Sequence, residues 1–199
     1  MIYSGHNLKY AAISFDTLLF GDLSWFMNEL NIELLRVDPY EFLSTATPDQ
    51  ELSVINLVTR DKHLRKEISN HIDLIQQSRF SYSHHTNLLM DKLGAGVFLN
   101  AFCGVSTNAV INNDVILQAH NIIGHNSVIG KGSILDLRVA ICGSAVIGEF
   151  CHLHSESVIY DNISITDDVV ISANSKVRKN IFESGTYASV VRSEFKKIS

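Results

Sequence analysis

The chain has 199 residues, 46% of them apolar, with sixteen basic side chains against twenty-one acidic ones and a net charge of −5. That length suffices for one large core or two small ones, and an acidic balance without a basic cluster argues against nucleic acid as the main partner. No run reaches the roughly 18 apolar residues of a membrane span. No basic-then-apolar leader is present, and Cys103, Cys142 and Cys151 lack CxxC spacing, so core thiols in a reducing cytoplasm are expected. In chain order, residues 10–15 read as a strand, 22–30 as an amphipathic helix, and 33–37 and 52–58 as two further strands. Thr59-Arg60-Asp61 then starts a helix that carries Leu64, Ile68, Ile72 and Ile75 at helical spacing. Strand, helix, strand, helix predicts a small parallel α/β unit. The turn after the first strand contains a single glycine, Gly21, which excludes the glycine-rich turn of a dinucleotide site.

From Leu93 the period changes to six. Leu93, Leu99, Val105, Ile111, Leu117, Ile123, Ile129, Leu135, Ile141, Ile147, Leu153, Ile159, Ile165, Ile171 and Val177 are all aliphatic. Two places before these residues the chain sets small ones: Ala109, Ser127, Ser133, Ala145, Cys151, Ser157 and Ser175. This is the hexapeptide pattern of a left-handed parallel β-helix. Each six-residue rung forms one side of a triangular prism, and the aliphatic and small residues point inward.

Coils stack about 4.8 Å apart, so residues eighteen apart become vertical neighbours. His125, two places after the inward Ile123, should therefore face outward beneath Gly143 and Asp161. The glycine there should leave an open shelf beside the imidazole. Gln118, Asp136, His154 and Ser172 form a second column, in which Asp136 can hold the ring of His154. His120, Arg138 and Glu156 form a third, read as a surface ion ladder.

Several stretches resemble one family over nearly the whole chain. Residues 58–68 (VTRDKHLRKEI) are similar to its "IGDNxLRxxI" helix start, and residues 83–87 (SHHTN) stand where "IHPSA" enters the β-helix. Residues 122–130 (IIGHNSVIG) resemble its catalytic "xxEH[DE]CxIG", and residues 185–192 (GTYASVVR) its terminal "GxxxGxPAK". The family is that of sialic acid O-acetyltransferases and bacillosamine N-acetyltransferases, the NeuD/PglD type. The resemblance implies a Rossmann-like substrate-binding domain (residues 1–82) followed by a left-handed β-helix acyltransferase domain (83–199). It implies an acetyl-CoA-dependent acetyltransferase acting on an amino or hydroxyl group of a nucleotide-linked sugar in surface-glycan synthesis. It further implies a homotrimer whose active site is shared between subunits.

By the same resemblance His125 is the general base, a role suited to an imidazole near neutral pH. Asn126 stands where the family orients that ring with an acidic residue. Gly143, Ser155 and Ala173 are expected at acetyl-CoA, with the Gly143 N–H at the developing oxyanion. A further family histidine falls on Ile134, the glycine-rich first turn is replaced by Ser14-Phe15-Asp16-Thr17-Leu18-Leu19, and the terminal proline is missing. Two other readings compete. A catalytically degenerate scaffold would keep the β-helix and lose the acid partner. A γ-carbonic-anhydrase-like metal enzyme would use His120 and His125 with His84 as the third ligand.

Overall fold

The computed structural model describes residues 9–15, 17–29, 32–46, 52–83 and 93–189. Strands β1 (Lys9–Ile13), β2 (Leu34–Val37), β3 (Leu52–Asn56) and β4 (Ser78–Arg79) form one sheet in the order β2-β1-β3-β4, and every pairing in it is parallel. Helices α1 (Thr17–Glu29), α2 (Pro39–Thr45) and α3 (Lys62–Leu74) connect the strands. β1 is buried from Tyr10 to Ile13 and β3 from Ser53 to Asn56, as central strands covered on both faces must be. The period-2 geometry of the strands sorts them: Ala11, Ile13 and Val54 pack with Leu64, Ile68 and Ile72 of α3. Tyr10, Ala12 and Ile55 pack with Leu23 and Met27 of α1 on the opposite face.

Several boundaries differ from the sequence-based expectation. Helix α1 begins at Thr17, not residue 22, because Gly21 lies inside the helix instead of ending a turn. Burial of Leu23 and Met27 outweighs the roughly 0.5–1 kcal/mol that an interior glycine costs. Helix α2 was not expected, although Asp38-Pro39 carries its signal. The Asp38 carboxylate accepts from the N–H groups of Tyr40 (2.9 Å) and Glu41 (3.1 Å), and proline suits the first helical turn. β3 stops at Asn56 because its side chain leaves the ladder to bond Val58 N (3.2 Å) and Arg65 O (3.0 Å). Asp61 caps α3 by accepting from Leu64 N at 2.9 Å.

The second part is a parallel β-helix of two-residue strands stacked into three sheets. Face one contains Tyr82–Ser83, Phe98–Leu99, Ile116–Leu117, Ile134–Leu135, His152–Leu153, Val169–Ile171 and Gly185–Tyr187. Face two contains Gly104–Val105, Ile122–Ile123, Ala140–Ile141, Val158–Ile159 and Lys176–Val177, and face three Val110–Ile111, Val128–Ile129, Val146–Ile147 and Ser164–Ile165. Partners are eighteen apart on faces two and three and through most of face one, as Ile123↔Ile141, Ile129↔Ile147 and Leu135↔Leu153 illustrate. Each of the fifteen aliphatic positions lies in one core cluster or packs against it. The seven small residues noted above are all buried.

The corners have a cost that the aliphatic pattern does not reveal. From Phe102 to Asn174 every sixth residue, Gly132 apart, is a non-glycine with φ between 51° and 63°. This left-handed conformation costs most L-residues about 1–2 kcal/mol and is easiest for Asn and Asp. Asn108, Asp114, Asn126, Asn162, Asp168 and Asn174 follow that preference. Phe102, Arg138, Ser144, Phe150 and Glu156 do not, and the corner side chains of His120, Arg138 and Glu156 are exposed.

The two parts meet along face one. Its outward residues Phe98, Ile116 and Ile134 share a core with Tyr10, Leu23, Met27, Phe80 and Tyr82. The corner between faces three and one is clasped by α3. Buried Arg65 donates to the carbonyls of Gly132 (2.9 Å), Asn56 (2.9 Å), Val58 (3.0 Å) and Asp114. Desolvation lowers its pKa to about 10, with the Asp114 charge pulling the other way. Arg79 grips the buried Asp114 carboxylate through Nε (2.8 Å) and Nη2 (3.0 Å). Lys62 and Lys66 reach Asp168 at 3.2 and 2.9 Å. Faces two and three carry no such cover among the described residues. Ile122 is 53% exposed, Val110 40% and Val146 42%.

Candidate active site

His125 and Asn126 form the corner between the two bare faces, after the strand Ile122–Ile123 and before Val128–Ile129. Both are exposed. The corner register is set by backbone bonds from Asn126 N to Thr107 O (3.0 Å), Ser144 N to His125 O (2.8 Å) and Asn162 N to Gly143 O (3.0 Å). Gly143 thus sits one coil above His125, and Asp161 one coil above Gly143.

The shelf above His125 is filled by the imidazole itself. A Cβ on Gly143 would stand 2.6 Å from Nε2 and 2.7 Å from Cε1. Glycine is needed here for close approach, since Gly143 is absent from the positive-φ residues. The ring is held at its other nitrogen, where the Asn126 side-chain amide lies 3.0 Å from Nδ1. Asn108 continues the column by donating to Asn126 Oδ1 at 3.2 Å. In this sense of the amide chain Nδ1 accepts and Nε2 carries the ring proton. Turning both amides over reverses every bond, so that Nδ1–H donates to Asn126 and Nε2 holds a free lone pair. The amide chain can thus select either tautomer but supplies no charge.

Gly143 N donates to Asp161 Oδ1 at 2.9 Å. The N–H expected at the oxyanion is therefore already engaged, and an acyl oxygen can use it only by displacing that carboxylate. Cys142, next to Gly143, stays a thiol: burial raises its pKa, and the Asp161 charge adds to the effect. Ser155 and Ala173 do not join His125 within one chain. They are stacked by the bond from Asn174 N to Ser155 O (2.9 Å) on the corner between faces one and two, across the width of face two from His125.

The Asp136–His154 pair is formed, and a residue missed in the sequence joins it. His154 Nδ1 lies 2.9 Å from Asp136 Oδ2, and His152 Nε2 lies 3.1 Å from Oδ1. Burial alone would raise the Asp136 pKa, but the two histidines hold it below the usual carboxylate value. The visible signal was His-Leu-His around the inward Leu153. The ion ladder is only partly present: Arg138 and Glu156 pair at 3.4 Å on the surface, a contact of little energetic weight. His120 instead stacks on Phe102 at 4.8 Å. His120 and His125 occupy different corners, which separates two ligands of the proposed three-histidine metal site. His84, the third, lies outside the described residues, as do residues 84–87 and 190–192 of the family-like motifs.

No family model matches the chain. A probable UDP-3-O-acylglucosamine N-acyltransferase 2, mitochondrial, of Arabidopsis thaliana is 38% identical over 78 residues, 39% of this chain and 26% of that protein. The UDP-3-O-acylglucosamine N-acyltransferase of Bordetella pertussis is 32% identical over 87 residues, 44% of this chain and 24% of that protein. The match thus spans only about a quarter of the length of these curated relatives. PerB from Caulobacter crescentus, solved with CoA and GDP-perosamine, superposes with a TM-score of 0.74 at 15% identity, over 89% of this chain and 92% of its own. The acetyltransferase domain of PglB from Neisseria gonorrhoeae, solved with acetyl coenzyme A, also gives 0.74, at 13% identity over 91% and 96%. The chain therefore shares the fold of these proteins over about nine-tenths of its length.

Proposed function

We propose that the protein is an acetyl-CoA-dependent acetyltransferase acting on an amino or hydroxyl group of a nucleotide-linked sugar in surface-glycan synthesis, with His125 as general base. The observation that carries this reading is the His125 ring, lying over Gly143 on an exposed corner and oriented by Asn126 at Nδ1. It is supported by a fold shared over about nine-tenths of the chain with a protein solved with CoA and GDP-perosamine. The curated relatives are named as N-acyltransferases, which favours an amine as acceptor.

In the tautomer whose Nδ1–H donates to Asn126, His125 Nε2 removes a proton from the acceptor as its nitrogen or oxygen attacks the thioester carbonyl of acetyl-CoA. The new bond to the acetyl carbon forms, the carbon–sulfur bond breaks, and the imidazolium returns the proton to the CoA sulfur. Base catalysis of this kind is worth about 10²–10⁴-fold. The Gly143 N–H serves the tetrahedral oxyanion once Asp161 has yielded it. Ser155 and Ala173 bind acetyl-CoA on the corner that a neighbouring copy brings to His125.

Residues 1–82 form a Rossmann-like unit that takes the nucleotide-linked sugar, and residues 83–199 form a left-handed β-helix. Tyr82 pairs with Phe98 of the β-helix and also packs in the N-terminal core, which supports a division close to this residue. The bare faces two and three flank His125 on both sides, and we assign them to the contacts of a homotrimer. Light scattering should return three chains at micromolar concentration. Among the described residues no helix is long and apolar enough to cross a membrane, and we place the reaction in the cytoplasm.

Incubation of acetyl-CoA with a panel of nucleotide-linked amino sugars, followed by mass spectrometry, should reveal one product heavier by an acetyl group. A second reading, a non-catalytic scaffold, is favoured by one observation: the Gly143 N–H is occupied by Asp161. Calorimetry separates the two. Absence of acetyl-CoA binding, together with no acetylated product, would establish the scaffold.

A further inference from the structure

A second cluster of side chains lies on the β-helix outside the His125 corner. Leu153 points into the core, so its neighbours His152 and His154 both project from the outer side of face one. The register places Ile134 beneath His152, and the same eighteen-residue step places Asp136 beneath His154. The Asp136 carboxylate faces both rings, with Oδ1 3.1 Å from His152 Nε2 and Oδ2 2.9 Å from His154 Nδ1. The two imidazoles lie tilted against one another, centroids 4.2 Å apart and planes inclined by 40°. One donor atom from each residue falls within 4.8 Å of the other two, and all three side chains are half-buried.

Donors around a tetrahedral zinc ion at about 2.0–2.1 Å stand about 3.3 Å from one another. The nitrogen–oxygen separations of 3.1 and 2.9 Å run to the two different oxygens of Asp136, so a small rotation of the carboxylate brings one oxygen and both nitrogens around a single ion. We propose that Asp136, His152 and His154 bind a divalent transition-metal ion, with zinc the ion best suited to two imidazoles and a carboxylate. The ion takes the lone pairs of His152 Nε2 and His154 Nδ1, each imidazole then carrying its one ring proton on the opposite nitrogen, so that coordination replaces the two hydrogen bonds to the carboxylate without net loss of a ring proton. Gln118, one coil below, donates to Asp136 Oδ1 at 3.3 Å and fixes the carboxylate as an orienting group. Three protein donors on a half-exposed surface leave the fourth position for water or an anionic ligand. The bound ion ties two successive coils together through their side chains. Within one chain His125 lies on a different corner, whereas His154 directly precedes Ser155, so ion binding is measured on protein free of acetyl-CoA and does not depend on acetyl transfer.

The competing possibility is an aspartate that merely hydrogen-bonds two imidazoles. Chelator-stripped protein titrated with Co²⁺ distinguishes them through the visible absorption bands of a low-coordinate cobalt–imidazole site, and Zn²⁺ calorimetry supplies the stoichiometry. We expect one ion per chain. His152→Ala, His154→Gln and Asp136→Asn should each lose more affinity than the about 10–100-fold that an orienting group is worth. Gln118→Ala should fall within that range, and His120→Ala should bind as the unaltered protein does. Thermal unfolding of the metal-free forms verifies that each variant is folded, and the three ligand variants serve as replacements for one another. No saturable cobalt spectrum from the unaltered protein at millimolar ion would overturn the proposal. Undiminished binding in all three ligand variants, or loss of binding in His120→Ala, would overturn it equally.

Discussion

Gly143→Ala probes the candidate site with a single methyl group. In the observed geometry that methyl carbon would stand 2.6 Å from His125 Nε2, whereas ordinary contact begins at 3.4 Å. The ring must therefore retreat by about 0.8 Å or turn away from the upper coil. Its only anchor among the described residues is the amide of Asn126, which cannot follow without giving up its own bond to Asn108. Displacement of a reacting group by about 1 Å costs on the order of 10²-fold in rate, or about 2.7 kcal/mol of transition-state stabilisation. Because the imidazole is exposed and the backbone φ is ordinary, folding stability should change little. The assay is kcat/KM for acetyl transfer, with thermal unfolding measured on the same sample. A folded Gly143→Ala protein with unaltered kcat/KM would refute the claim that the ring must lie over that glycine.

Other consequences can be measured separately. Asn126→Asp leaves the left-handed corner intact and gives the imidazolium a charged partner. Ring basicity then rises, which moves the acidic limb of the pH–rate profile to higher pH and increases the plateau rate; a profile unchanged in both respects counts against Asn126 as the orienting group. Desolvation would raise the Asp168 pKa, but bonds to Lys66 and Lys62 lower it overall. Its contribution to stability is thus present above the ordinary carboxylate value of about 3.9 and lost as pH falls through the depressed one. Asp168→Asn should weaken urea resistance at pH 7, and the loss should shrink steadily as pH falls below the ordinary carboxylate value; a loss that stays constant with pH would contradict this. A Cβ on Gly21 meets nothing within 4 Å, so Gly21→Ala should stabilise the fold by about 0.5–1 kcal/mol in denaturant titration. Destabilisation there would show that α1 does not continue through that residue.

The β-helix was legible because its constraint repeats. Each aliphatic residue from Leu93 to Val177 must fill the same narrow prism, so even the facing of His125 followed from counting. The N-terminal sheet was less legible. β4 is two residues long and α2 seven, too short for any hydrophobic period; what marks them is an Asp-Pro cap for α2 and the ion pair of Arg79 with Asp114 for β4. Within the site, the column of His125, Gly143 and Asp161 was readable, but the direction of the Gly143 N–H was not. That depends on whether the Asp161 carboxylate turns down toward the glycine, a rotamer choice with no sequence signal. His152 was missed for a related reason. Its partner is sixteen residues back, not eighteen, so Asp136 lies diagonal to it, outside the vertical columns.

The most direct test of the central claim is the acetyl-transfer rate of His125→Ala on the sugar nucleotide that the unaltered protein acetylates, with acetyl-CoA affinity measured by calorimetry on the same protein. Loss of the base should lower the rate by about 10²–10⁴-fold while acetyl-CoA still binds, and His120→Ala should match the unaltered protein. Full activity in His125→Ala, with activity lost in His154→Ala, would move the chemistry to the neighbouring corner and contradict the assignment.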